Sequence, residues 1–124
     1  MSDYDIETQN ELMKKHIRGA INVLKTKGWT QKFFARNYLN EPVLVMDDSA
    51  VCFCASGAIK RHMGLNETQN DSRNPTYKLY TKIVAILCKM NPIVNYGAIS
   101  TWNDAEHRTK GEVIELLEKA IATI

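Results

Sequence analysis

Residues 8–28, TQNELMKKHIRGAINVLKTKG, decide the fold because they predict a long amphipathic helix. Thr8 and Glu11 match a capping box, in which each side chain bonds the other residue's backbone N–H. Apolar residues then recur at helical spacing, and Gly28 follows where a left-handed residue commonly ends a helix. The predicted buried stripe consists of Met13, Ile17, Ala20, Ile21 and Leu24. The sequence therefore predicts a first helix with one buried face.

Two short strands are predicted directly after this helix. Residues 29–50, WTQKFFARNYLNEPVLVMDDSA, combine an aromatic segment, a polar turn at Asn40–Pro42 and an alternation of Val43 and Val45. A hairpin alone is marginal in water, so its apolar side is expected to lie against the helices.

Helical spacing of apolar residues predicts three more helices. The second runs over 50–63 behind a cap at Asp48 or Ser49, and the third over 75–90 behind an Asn–Pro start. The last begins with a second capping box, TKGE at 109–112, and continues to the end of the chain. The sequence thus predicts a mainly α (α+β) fold, a single compact domain over residues 1–124 of about four helices, with one small β-hairpin between helices 1 and 2.

Composition indicates an ordinary globular protein of the cytoplasm. The 24% of charged residues and 44% of hydrophobic residues are close to the average for soluble domains. The apolar run 83–88 is far shorter than the roughly 20 residues that span a bilayer, and the acidic N-terminus is unlike a signal peptide. The 3 cysteines are an odd number and indicate reduced thiols. We therefore expect no membrane association and a cytoplasmic location.

Nucleic-acid binding is a weak alternative. The formal net charge of +2 is too small to indicate it, because a nucleic-acid footprint needs basic residues gathered on one face. Lys14, Arg18 and Lys25 do share a narrow stripe of the first helix. Charge on the solvent face of a helix is the usual meaning of such a stripe, so we expect no binding to DNA or RNA.

Cys52 and Cys54 form a C-x-C near the predicted start of the second helix, where backbone N–H groups lower the pKa of a thiol. An enzyme would use Cys54 as a hydrolase or transferase nucleophile, with Gln31 as oxyanion donor and Asn103 or Asp104 orienting a base. Against this, free cysteines are commonly buried, and one C-x-C without a second ligand pair does not predict zinc. Neither a metal nor a cofactor is predicted.

Polar side chains beside large aromatic rings are typical of a ligand pocket. In such a pocket the ring stacks on a planar group of the ligand, and the polar side chains hydrogen-bond the edge of that group. A structural interpretation stays open beside it, in which Trp102 is a core anchor, packed against the first and last helices, and Asn103 or Asp104 satisfies backbone groups. Arg36 would then pair with Asp104. The candidate ligand-binding residues are Trp29, Gln31, Arg36, Trp102, Asn103, Asp104 and Arg108.

The segments GWTQKFFAR, AVCFCASGAIKRH and ISTWNDAEHRTKGEVIELLEKAI resemble a family of small uncharacterised bacterial and phage proteins, a domain of unknown function. Its pattern is W-x-Q…A-R…C-x-x-G-A-L…W-N-D…R-T…E-V, and Ile59 stands here in place of the Leu. The family has no established activity, so the resemblance implies grouping and origin but no mechanism. Its motif falls on the candidate residues above and on Cys54, Gly57 and Thr109.

These observations together predict a small intracellular accessory protein that is encoded by a phage. It would act without catalysis, by binding a host protein or a small polar ligand through the candidate residues. The cysteine enzyme and the nucleic-acid binder remain as alternatives.

Overall fold

The computed structural model describes residues 5–90 and 99–124. It confirms a mainly helical domain with a two-stranded antiparallel sheet between the first two helices. The elements are α1 (Ile6–Thr26), β1 (Ala35–Asn37), β2 (Ala50–Phe53), α2 (Ala55–Met63), α3 (Pro75–Met90), α4 (Ile99–Asn103) and α5 (Lys110–Thr123). Within the described ranges, no helix has both the length and the apolar character to cross a bilayer.

The first helix forms as predicted, but its cap lies three residues earlier. Asp5 is the N-cap, and its Oδ1 accepts the backbone N–H of Thr8 at 2.7 Å, so Thr8 lies inside the helix. A carboxylate at the positive end of the helix dipole stabilises this earlier start. Lys27 ends the helix, and Gly28, with φ of 159°, does not adopt the predicted left-handed conformation. The predicted stripe from Met13 to Leu24 is buried.

The second strand was predicted in the wrong place. β1 pairs with Ala50–Phe53, whereas Val43 and Val45 belong to no strand. The segment at Val43 still lies beside β1, because the Val43 N–H donates to the Ala35 carbonyl at 3.1 Å. The other edge of β2 is covered by Trp29 through an isolated bridge to Phe53. The residues predicted to be the start of the second helix therefore complete the sheet.

The second helix consequently begins later than predicted, at Ala55. Its N-cap is Cys54, whose Sγ accepts the Gly57 N–H at 3.2 Å, and neither Asp48 nor Ser49 caps it. A Cβ at Gly57 would overlap the carbonyl oxygen of Phe34, so glycine permits the close approach of the segment before β1. Gly64 ends the helix in a left-handed conformation, with φ of 77°.

The predicted starts of the later helices are confirmed. Asn74 Oδ1 accepts the Thr76 N–H at 2.8 Å ahead of α3, and Thr109 and Glu112 form the predicted capping box of α5. The predicted stop of α3 at Asn91 and Pro92 lies outside the described residues.

The short helix α4 was not predicted, and it carries Trp102. The indole is buried as expected, with 6% of its surface exposed. However, α4 packs mainly on α2 and α3, whereas α1 and α5 were the expected neighbours. The core itself lies around α1, which packs against α2 and α5. This arrangement brings the end of α4 to the start of α2, beside the sheet.

Candidate functional site

Asn103, the last residue of α4, ties together three separate parts of the chain. Its Oδ1 accepts the indole N–H of Trp29 at 2.8 Å and the backbone N–H of Ala55 at 3.0 Å. Its Nδ2 donates to the Thr30 carbonyl and to Asp104 Oδ1, both at 3.1 Å. The side chain is fully buried. Because a buried amide must satisfy its donors and acceptors internally, this arrangement fixes α4 against α2 and the segment after α1.

Gln31 and Asp104 extend this network from either side. The Gln31 amide nitrogen donates to the carbonyls of Asn103 and Ala105, both at 2.9 Å. The Lys32 backbone N–H donates to Asp104 Oδ1 at 2.8 Å. We call Trp29, Gln31, Asn103 and Asp104 the Asn103 corner. The structure thus brings four predicted site residues together, and they bond to one another and to backbone groups.

Two predicted arginines flank the corner. Arg36 donates to Thr30 Oγ1 at 3.0 Å and to the Asn40 carbonyl at 2.9 Å, and no ion pair with Asp104 is found among the described residues. Arg108 stacks on the indole of Trp102, with its guanidinium carbon 4.0 Å from the ring centroid, and donates to the Trp102 carbonyl at 2.9 Å. Both arginines therefore donate hydrogen bonds to backbone carbonyls, Arg36 to that of Asn40 and Arg108 to that of Trp102.

A cavity of about 570 Å³ opens beside the corner, between the segments that precede and follow β1, the start of α2 and α4. We call it the sheet cavity. Its volume lies within the range of small-ligand sites. The lining is mainly apolar, and its charged side chains are Lys32, Glu67 and Asp104, of which Asp104 is the predicted site residue shared with the corner. The lining residues are Lys32, Phe33, Phe34, Pro42, Val43, Leu44, Cys54, Glu67, Ser100 and Asp104.

The polar groups of the cavity wall are held in fixed positions. The two carboxylate oxygens of Glu67 accept the Val45 N–H at 3.1 and 3.2 Å. Lys32 adopts a left-handed conformation with φ of 76°, which costs a residue with a side chain about 1 kcal/mol or more. Its N–H bond to Asp104 helps to hold that conformation. Backbone strain of this kind concentrates at functional sites. Here the N–H of the strained Lys32 fixes the carboxylate of Asp104 at the cavity wall.

Cys54 lines the same cavity, but its surroundings do not activate the thiol. Burial raises the pKa of Cys54 to about 12, and this effect outweighs the Gly57 N–H bond, which acts in the opposite direction. The residue is 4% exposed. The thiol is therefore protonated at neutral pH, which makes it a weak nucleophile.

This environment predicts slow alkylation of Cys54 in the folded protein. With iodoacetamide at pH 7.5, we expect Cys54 to be modified at least about tenfold more slowly than after unfolding in urea, because only the thiolate reacts. Peptide mapping by mass spectrometry would separate Cys54 from Cys52, which is less buried. Rapid modification of Cys54 in the native state would instead support the cysteine enzyme, in which Cys54 is the nucleophile.

Lys60 is a further candidate that sequence reasoning missed. It is 5% exposed, and its ammonium lies 4.4 Å from the ring centroid of Tyr80, 5.7 Å from that of Phe34 and 5.8 Å from that of Tyr77. Burial lowers the pKa of Lys60, while the charge of Glu67 raises it. The three rings stabilise the cation in place of a hydrated surface. No local sequence pattern signals this cage, since Lys60 lies on α2, Tyr77 and Tyr80 lie on α3 and Phe34 precedes β1.

His16 and His62 form a contact between α1 and α2, away from the cavity. Their Nδ1 atoms are 3.1 Å apart, so one imidazole donates and the other accepts. A Cβ at Gly19 would overlap the His62 ring, so glycine admits the imidazole here. Burial lowers the pKa of both histidines, and the charge of Lys15 acts in the same direction. If both imidazoles were protonated, neither Nδ1 could accept, and the hydrogen bond would be lost.

The histidine pair predicts a loss of stability on acidification. Since both folded-state pKa values lie below the unfolded value of about 6.5, the unfolded chain binds more protons and stability falls as pH drops through this range. Urea unfolding at pH 7.5 and 5.5 should show this loss, and His62→Gln should reduce it. The exposed His107 gives the control, because His107→Gln should leave the pH dependence unchanged. Equal pH dependence in all three proteins would contradict the prediction.

The described residues contain no group of three or more His, Cys, Asp or Glu side chains that could hold a metal ion. Residues 8–123 match DUF6197, a family of unknown function, and the chain belongs to this family. Searches of curated proteins and of solved structures found no match to the chain.

Proposed function

We propose that the protein is a non-enzymatic binding module and that the sheet cavity is its binding site. The observation that carries this proposal is an apolar cavity of about 570 Å³ with Asp104 fixed at its wall. Apolar surface with a few fixed polar groups is the usual composition of a binding site. From the resemblance in sequence we further infer an accessory protein of bacteria or their phages. It would act in the cytoplasm on a host protein or a small polar ligand.

The Asn103 corner supports this proposal by making one wall of the cavity rigid. Asp104 is held through Oδ1 by the Lys32 N–H and by Asn103 Nδ2, and Asn103 is itself fully bonded. In the described part of the chain, Asp104 Oδ2 has no donor. A carboxylate that is already positioned loses little entropy on binding, which favours affinity. The complementary ligand is an apolar group that carries an amine or another donor.

The same geometry favours binding over the cysteine nucleophile. The buried Cys54 thiol, with its pKa raised to about 12, supplies little thiolate. The Gln31 amide nitrogen, proposed above as an oxyanion donor, is occupied by the carbonyls of Asn103 and Ala105. A nucleophile without its activating groups gives no catalytic advantage.

A nucleic-acid ligand is also disfavoured at this cavity, because the carboxylates of Glu67 and Asp104 outnumber its one cation, Lys32, and would repel phosphate groups. The basic stripe on α1 is separate from the cavity, and within it Lys14 lies 3.8 Å from the carboxylate of Glu11.

A panel of small aromatic and aliphatic amines, each paired with the carboxylic acid of the same shape, tests the proposal by ligand-observed NMR. We expect amines to bind and the paired acids to bind at least about tenfold more weakly, because only the amines can pair with Asp104. Asp104→Asn should weaken the amines, and Ser100→Trp, at an exposed wall position, should block the cavity.

Glu118→Gln, at an exposed position of α5 outside the lining, is the matched control and should bind as the wild type does. Absence of binding across the whole panel would reject the sheet cavity as a small-molecule site. Binding that is unchanged by both Asp104→Asn and Ser100→Trp would reject its location.

A further inference from the structure

Large apolar side chains are exposed almost entirely in one region of the described chain. Ile6 lies apart from it, and the others fall between residues 33 and 51, in the segment that folds around the sheet. We call these residues the sheet face: Phe33 (46% exposed), Tyr38 (90%), Leu39 (73%), Leu44 (53%), Met46 (36%) and Val51 (37%). Exposed large apolar side chains are usually scattered singly, so six of them within one short segment indicate an interaction site.

The sheet face is continuous with the sheet cavity, because Phe33 and Leu44 belong to both. An occupant of the cavity would therefore also contact exposed apolar surface outside it. A free small molecule that fits about 570 Å³ would leave most of that surface uncovered.

The most exposed part of the sheet face is held rigidly. Tyr38 and Leu39 lie in a turn in which Asn37 Oδ1 accepts the N–H groups of Leu39 and Glu41, both at 2.9 Å. Asn37 Nδ2 returns a bond to the Glu41 carboxylate at 2.9 Å, and Asn40 supplies the left-handed residue with φ of 66°. A turn that is already ordered presents its apolar side chains at a reduced entropic cost of binding.

The segment that carries the face, with the carboxylates of the cavity, is net negative, unlike the chain as a whole, whose formal net charge is +2. Two cations of α2 reduce this negative charge, since Arg61 donates to the carbonyls of Val45 and Asp47 and Lys60 lies beside Phe34 and Glu67. Residues 32–48, with the two carboxylates of the cavity, carry five acidic side chains and two basic ones. One of the two basic side chains, Arg36, is occupied by backbone carbonyls and by Thr30. The acidic residues are Glu41, Asp47, Asp48, Glu67 and Asp104. A partner with basic groups is favoured by this charge.

We propose that the sheet face and the sheet cavity together dock a basic, apolar segment of a partner protein. One large apolar side chain of the segment enters the cavity, and a flanking Lys or Arg meets Asp104 and Glu67. This inference rests on the proposed function, since it takes the cavity as the binding site. A second copy of the chain would bring the same acidic charge against itself, and an anionic membrane would be repelled.

A selection from a library of random 12-residue peptides displayed on phage, with the whole protein immobilised, tests the docking proposal. Enriched peptides should contain a large apolar residue next to Lys or Arg. In fluorescence-anisotropy titrations of an enriched peptide, Leu39→Asp and Leu44→Asp should each weaken binding at least about tenfold, the effect typical of an important interface residue.

Ile6→Asp is the matched control, because Ile6 is 77% exposed but lies outside the sheet face, and it should leave the affinity unchanged. All three positions are exposed, and circular dichroism would verify that each variant is folded. Affinity should also fall as salt is raised, because the proposed charge pairs are screened.

Enriched peptides without basic residues, or equal binding by Leu39→Asp and Ile6→Asp, would overturn the docking proposal. Self-association of the protein in sedimentation at about 100 µM, lost in Leu39→Asp, would assign the face to a second copy and would also overturn it. If small amines bind the cavity but no peptide is enriched, the docking proposal fails and the proposed function stands. If neither binds, both fail.

Discussion

Trp102→Ala is expected to lower the free energy of unfolding by about 3–5 kcal/mol, the range for deleting a large buried aromatic side chain. The indole is 6% exposed and belongs to the core, and the Arg108 guanidinium stacks on it at 4.0 Å. Removal of the ring leaves a cavity between α4 and its neighbours and removes the stacking partner of Arg108. A domain of this size holds only about 5–15 kcal/mol, so the variant should be close to unfolding.

Equilibrium urea unfolding measures this loss, and Tyr38→Ala provides the matched control. Tyr38 is an aromatic residue with 90% of its surface exposed, so its removal should change the stability by less than about 1 kcal/mol. If Trp102→Ala were no more destabilising than Tyr38→Ala, the indole would not be a core anchor, and its burial in the structure would be contradicted.

Asn103→Ala is expected to lower the free energy of unfolding by about 3–5 kcal/mol although it removes little apolar surface. Three groups lose their partner: the Trp29 indole N–H, the Ala55 N–H and the Thr30 carbonyl. A buried group left unpaired costs about 1–3 kcal/mol, and the Ala55 N–H is buried while the Trp29 and Thr30 groups are half-buried. Asp104 also loses one of the two donors on its Oδ1, so ligand binding at the cavity should weaken together with the stability.

Asn70→Ala, at an exposed loop position, controls for the loss of an asparagine and should change the stability by less than about 0.5 kcal/mol. A loss below about 1 kcal/mol for Asn103→Ala in urea would show that the corner does not hold α4 in place.

The long helices α1, α3 and α5 could be predicted from the sequence because their signals are local. The stripe from Met13 to Leu24 and the Thr109–Glu112 capping box each lie within one element, and both are confirmed. The start of α2 could not be predicted, because its cap is the sulfur of Cys54, which is not among the usual capping side chains. The strand Ala50–Phe53 was missed for another reason, because its pairing with β1 is a long-range contact that no local pattern signals.

The candidate site was predictable only in part. The pairing of large rings with amides and carboxylates singled out Trp29, Gln31, Asn103 and Asp104, which do meet in one corner. The cavity was not predicted, because Phe33 and Leu44 come together only when the segment after β1 folds back beside it. Lys60 was missed for a similar reason, since its aromatic cage exists only in the folded chain.

Chemical-shift mapping by two-dimensional ¹⁵N–¹H NMR tests the binding site most directly. When the tightest-binding amine or peptide is titrated into the labelled protein, the largest amide shifts should fall on the lining of the sheet cavity, at Phe33, Leu44, Ser100 and Asp104. The same shifts should be reduced in Asp104→Asn. Shifts confined to α1, or spread evenly over the surface, would contradict the assignment of the sheet cavity as the binding site.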